Sequence, residues 1–160
     1  MDDEVTVYVS QLASLLRRLA RTVEGLSEAE LNWRPPAPDA NSAFVIATHM
    51  VANMEAWVLG IVCGEPISRD REAEFAAAGA DAAPLVAAAE ALSERFEAAL
   101  GQLAPGRVDE LLTPDPTLWG TGAPSEISAR RALVSAIVHN AGHIGHLEVT
   151  RDLAVAHAAG

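Results

Sequence analysis

Lysine is missing from this 160-residue chain, and all 11 of its basic residues are arginine. Against 22 acidic side chains the formal net charge is −11, the wrong sign for a surface that grips DNA, RNA or an anionic membrane. The missing lysine itself is put down to codon bias rather than chemistry. Cysteine is nearly absent: Cys63 is the single one, which excludes an intrachain disulfide and fits a reducing compartment. Because it follows an apolar helix end, a buried structural thiol is its default reading; a reactive thiolate would need positive neighbours that the sequence does not show. Aromatic residues make up only 4% of the chain, and no apolar run approaches the ~20 residues that a membrane span needs. The opening Met1-Asp2-Asp3-Glu4 is acidic, unlike the basic start of a secretory leader. These absences predict a soluble, cytoplasmic protein with no nucleic-acid and no membrane partner.

Several catalytic signatures are missing as well. No Glu-x-x-His pair occurs, which argues against a di-iron carboxylate bundle. His-Glu-x-x-His is absent, so a zincin-type protease is not expected, and there is no Gly-rich phosphate loop. Strand signals do not recur along the chain, whereas helix signals do.

Apolar residues, half of the chain, suit one domain over residues 1–160 with a real core. Leu12, Leu15, Leu16, Leu19, Val23 and Leu26 repeat at three- and four-residue steps, predicting an amphipathic helix from about residue 3 to 25. Asn41 or Ser42 can cap a second helix carrying Val45, Ile46, Met50, Met54, Trp57, Val58 and Ile61, which Gly64 and Pro66 stop. Pro84 suits the first turn of a third, with Leu85, Leu92, Phe96, Ala99 and Leu103. Ser125 is expected to cap a last helix that runs to about residue 155. Between these lie long connections, Ser68 to Asp81 and residues 104–124, read as loops. Four such helices predict an all-α four-helix bundle, and connections of this length permit topologies other than simple up-down neighbours.

Three of the five histidines fall within eight positions, His139-Asn-Ala-Gly-His143-Ile-Gly-His146. At about 100° per residue, His143 lies roughly 40° from His139 and His146 roughly 20° from it on the other side, so the three share one stripe of a helix. An i, i+4 histidine pair can grip one ion from adjacent turns. His139 and His146, about 10 Å apart along the axis, cannot readily share one, whereas His139 with His143, or His143 with His146, could; the favoured reading keeps His146 beside the ligands rather than among them. His49, in the middle of the second helix, is the candidate third ligand. A lone histidine beside an apolar face is by default a satisfied core or boundary residue, but bundles build metal sites from facing helices. Three imidazoles and an open position make a catalytic-type site, suited to zinc, nickel, iron or copper. Asn53, one turn after His49, could orient a ligand ring or a substrate; the favoured reading is an ordinary boundary residue. Arg69 and Arg71 could bind an anionic substrate, although solvated charges paired with Asp70 and Glu72 are the favoured reading. Trp33, Trp57 and Trp119 read as core or loop anchors rather than a stacking platform, and His157 as solvated and inert.

The order and spacing of several pieces resemble the DinB-like bundle metalloproteins, which share a fold with the mycothiol-dependent maleylpyruvate isomerase family. The pieces are Leu31-Asn-Trp-Arg-Pro35, His49 with Glu55-Ala-Trp57, Gly64-Glu-Pro66, Arg69-Asp-Arg-Glu-Ala-Glu-Phe75, His139-x-x-x-His143-x-Gly145-His146, and Arg151-Asp152-Leu153. The resemblance covers nearly the whole chain. It implies an up-down-down-up bundle, a homodimer, and a divalent-metal site (zinc, nickel or iron) made by His49, His139 and His143. Members commonly carry glutamine where this chain has His146, which is expected to face the substrate or handle protons as a catalytic residue. Related members use a low-molecular-weight thiol, so the expected activity is thiol transfer to, or isomerisation of, a small electrophile, with a thiol such as mycothiol, bacillithiol or glutathione. The alternatives are a metal-water hydrolase and a non-catalytic, stress-induced metal-binding bundle.

Overall fold

Helix α1 spans Asp3–Val23 because its apolar residues fall on one side: Val5, Tyr8, Leu12, Leu15, Leu16, Leu19 and Val23 are all buried. The computed structural model describes residues 3–160; Met1 and Asp2, part of the acidic start invoked against a leader, lie outside the described residues. Gly25 ends the helix in a left-handed conformation, φ +79°. Helix α3, Ala43–Met54, is capped by Ser42, whose hydroxyl accepts from the Val45 N–H at 3.3 Å. It continues as a π-helical stretch, Glu55–Val62. Helix α5 covers Ala83–Gly101, with Pro84 in its first turn, and α7 covers Ala129–Ala159.

Ion pairs and contacts fix the relative directions. Glu4 pairs with Arg130 near the starts of α1 and α7, and Arg18 pairs with Glu148 further along both, so these helices run parallel. His49 lies beside His143, while Trp57, later in the α3 rod, shares a cleft with Ser135, earlier in α7; these two run antiparallel. Late α1 residues Arg17 and Arg21, with Glu24 just past its end, line a groove with early α5 residues Val86 and Glu90, so α5 opposes α1. The result is the up-down-down-up bundle expected. Leu16, Leu19, Met50, Met54, Leu59, Phe96, Leu133 and Leu147 meet at its centre, each under 2% exposed. Full burial of such a side chain contributes roughly 1.5–3 kcal/mol.

The connections depart from the sequence expectation. They hold three short helices: α2, Glu28–Asn32; α4, Arg71–Ala76; and α6, Pro116–Trp119. Each is started by a side-chain cap from Ser27, Asp70 or Asp115. A two-residue antiparallel ladder also forms, β1 (Leu111–Leu112) against β2 (Ile127–Ser128). That ladder displaces the expected cap. Ser128, not Ser125, accepts from the Arg131 N–H and starts α7, because residues 127–128 must first stay extended to pair. Helix α7 also runs to Ala159, past the expected end near 155. One further expectation is corrected: the rod Ala43–Val62 is long and apolar enough to cross a membrane, with mean hydropathy 1.5 over 20 residues. Within the described residues 67% of that window is buried inside the bundle, where α1, α5 and α7 cover it.

A candidate three-histidine metal centre

The α3 and α7 helices approach closely where the histidines lie. His49 is buried at 3% exposure, and its Nε2 stands 3.2 Å from Nε2 of His139. The His143 ring centroid is 4.9 Å from that of His49 and 4.5 Å from that of His139. One nitrogen from each of the three lies within 4.8 Å of the others, and the group could hold a metal ion. Two nitrogens bound tetrahedrally at the usual 2.0–2.1 Å would be about 3.3 Å apart, close to the His49–His139 separation.

Glu74 on α4 supplies the partner that the sequence reading missed. Its carboxylate, 4% exposed, meets Nδ1 of His49 at 2.7 Å. Arg69 holds the same carboxylate through Nε at 2.7 Å and Nη2 at 3.0 Å, and donates through Nη1 to the Leu118 carbonyl at 3.3 Å. Burial alone would raise the pKa of Glu74, but hydrogen bonds from His49 and Arg69 and their positive charge bring it down to about 2. An ionised carboxylate only accepts, so Nδ1 of His49 carries the hydrogen and the ring is held with Nε2 facing His139. Burial, followed by the charges of His49, Arg69 and Arg71, lowers the pKa of His139. The same kind of environment, burial first and then its histidine neighbours, takes His143 down to about 4. Burial favours the neutral form of His139 and His143, and a carboxylate orients the His49 ring; such imidazoles are the donors that metal ligation requires. The residues therefore fit a divalent ion of the imidazole-preferring kind.

His146 lies outside this group. It is exposed, with its ring centroid 6.4 Å from that of His143 on the solvent side. His157, also exposed, stacks on Trp33 at 5.1 Å.

Next to His139 opens a cleft of about 250 Å³ whose walls include Asn53, Trp57, Arg71, Trp119 and Thr121. Three sequence readings change here. Asn53 is buried rather than a boundary residue, and its Oδ1 accepts from Asn140 Nδ2 at 2.9 Å. Trp57 and Trp119 stack at 5.2 Å and form a wall of the cleft as well as packing against the core. Neither arginine pairs with Asp70 or Glu72: Arg69 is buried on Glu74, and Arg71 lies 5.1 Å over the Phe75 ring. The only hint of Glu74 in the sequence was its place five residues after Arg69 beside an aromatic residue.

An all-α bundle with a histidine cluster between its second and fourth long helices defines the class. The model of the DinB superfamily matches residues 11–147, which include all three histidines, and the chain belongs to that superfamily. Its fold is similar to that of a DinB-like protein from Bacillus cereus ATCC 10987, with TM-score 0.68 and 16% identity over 92% of this chain and 90% of that one. A DinB-like protein of Bacillus subtilis aligns with TM-score 0.62 and 20% identity over 94% and 92% of the two chains. A conserved protein from Enterococcus faecalis gives 0.68 and 18% over 98% and 99%. At these identities the likeness establishes the fold alone. No curated protein matches the chain.

Proposed function

We propose that the protein is a divalent-metal-dependent enzyme that activates a low-molecular-weight thiol, such as mycothiol or bacillithiol, for transfer to a small electrophile. The observation that carries this reading is the position of the cluster. Three imidazoles converge, one of them, His49, held by Glu74, and His139 also lines a cleft large enough for a small molecule. A closed structural site would have no such opening. Zinc, nickel or iron bound by His49, His139 and His143 supplies Lewis-acid chemistry that brings the pKa of a thiol toward neutrality. The chain's own residues do the rest. Glu74 and Arg69 keep His49 oriented; the cleft holds the electrophile beside His139; exposed His146 accepts the thiol proton and passes it to solvent. Sulfur loses that proton and bonds to the electrophilic carbon, and the leaving group departs with the bonding pair. Addition to a double bond, rotation and expulsion of the same thiol gives an isomerisation by the same chemistry.

The test has two parts. Metal content by plasma mass spectrometry, on protein purified without a metal-affinity tag, should give about one ion per chain. His49→Ala and His143→Ala should both abolish it. Turnover of a chromogenic electrophile should then require both metal and added mycothiol, bacillithiol or glutathione. Metal-dependent turnover without thiol would indicate hydrolysis instead. Stable metal binding with no turnover and no thiol binding would leave a non-catalytic bundle.

A further inference from the structure

We infer that the cleft beside the histidines binds a small carboxylic acid with a flat, unsaturated body, its carboxylate on Arg71 and its plane along Trp57 and Trp119. This deepens the reading above by naming the electrophile's class, but the binding itself needs no metal.

Arg71 is the starting point. In a chain of net charge −11, its neighbour Arg69 is neutralised by buried Glu74, yet among the described residues no carboxylate forms an ion pair with Arg71. Its guanidinium instead rests on the Phe75 ring, 5.1 Å away, a contact that orients the group without cancelling its charge. Gly120 lies beside the guanidinium: its φ of +104° suits glycine, and a Cβ there would be in ordinary contact with Nη1 of Arg71 at 3.8 Å. Asn53 adds a second donor: Asn140 occupies its Oδ1, so its amide NH₂ is the end left for the cleft. Thr121 offers a hydroxyl, and no acidic side chain lines this space. Such a set of donors selects an anion.

Shape narrows the class. The Trp57 and Trp119 rings stack at 5.2 Å and 26°, giving the cleft a flat aromatic wall. A volume of about 250 Å³ falls below the ~300 Å³ at which drug-sized pockets begin, so the ligand is small. A planar guanidinium fork matches carboxylate and phosphate alike, but inorganic phosphate offers nothing for the tryptophans to cover.

The experiment uses the full-length protein freed of metal by chelation, with tryptophan fluorescence followed during titration by benzoate, benzamide and inorganic phosphate. Benzoate should quench with a dissociation constant at or below the millimolar range, and benzamide should bind at least about tenfold more weakly, as expected for loss of a charge-assisted hydrogen bond. Arg71→Gln should weaken benzoate at least about tenfold while leaving benzamide unchanged, and Trp119→Leu should weaken both. Circular dichroism and Tm of each variant establish that it is folded. The proposal is overturned by equal affinity for benzoate and benzamide, by an Arg71→Gln variant that binds benzoate normally, by phosphate binding as tightly as benzoate, or by no quenching at about 10 mM benzoate. Failure of the thiol-transfer reading, with no metal bound or no thiol used, would leave this metal-free titration unaffected.

Discussion

Glu74→Gln is the most informative single change. The substitution keeps the shape of the side chain and an oxygen for Nδ1 of His49, but it removes the charge that faces Arg69, a side chain only 2% exposed. Breaking a buried ion pair from one side costs about 3–5 kcal/mol, because the remaining charge stays desolvated. The retained oxygen and the Leu118 carbonyl soften that loss, so the low end applies. For a protein of this size each kcal/mol lowers Tm by about 2–4 °C, so the expected fall is roughly 6–12 °C. Metal affinity should drop about 10- to 100-fold as His49 loses its anionic partner. Differential scanning fluorimetry of chelated protein measures the first effect, and zinc competition against a chromophoric chelator the second. Adding Arg69→Met removes the stranded cation. The double variant should regain most of the lost stability without regaining metal affinity. A single variant within about 2 °C of the wild type, or one with unchanged zinc affinity, would refute the assignment of Glu74 as the residue that positions His49.

Burial raises the Cys63 thiol from 9.0 to about 11, helped by Glu65, so its thiolate fraction at pH 7 is roughly 100-fold below that of an unshifted cysteine. Iodoacetamide labelling of native protein should be slow by a similar factor and should accelerate about tenfold per pH unit up to the edge of unfolding; fast labelling at pH 7 would contradict the burial. Phe96, 1% exposed in the core, should cost about 3–5 kcal/mol when changed to alanine, whereas Arg18→Ala, which breaks the half-exposed pair with Glu148, should cost less than about 1 kcal/mol; urea denaturation measures both. Zinc at a hundredfold excess over its dissociation constant should stabilise the chelated protein by about 2.7 kcal/mol, and the His143→Ala variant should show no such shift in Tm.

The long helices and the histidine stripe were legible because both follow from one periodicity. Leu12, Leu16 and Leu19 bury one face of α1 for the same reason that His139 and His143 share one face of α7. What stayed hidden depends on docking between distant segments. Asp70 and Glu72 are nearer to Arg69 in sequence than Glu74 is, so a solvated cluster was the natural reading; α4 settles against α3, turns Glu74 inward and leaves the other two acids exposed. Ser125 looked like the cap of α7 because nothing local reveals that Ile127–Ser128 pairs with Leu111–Leu112, more than a dozen residues back. Change from α to π winding at Glu55 leaves no composition signal either, and Trp57 of the cleft wall lies on that stretch.

Helix α4 shows why the short elements matter to the chemistry. Within one six-residue helix, Arg71 and Glu74 serve opposite ends of the same site. Glu74 faces inward and fixes His49, whereas Arg71 lies on Phe75 and presents its charge to the cleft. Phe75 links the two, since its ring also packs 5.1 Å from that of His49. Arg69 extends the connection to Leu118, one residue before Trp119. The bundle thus sets where the three imidazoles converge, and a helix too short to be legible in sequence sets both the orientation of His49 and the charge of the space before the group. Shifting α4 by one residue would turn Glu74 away from His49 and carry Arg71 out of the cleft together.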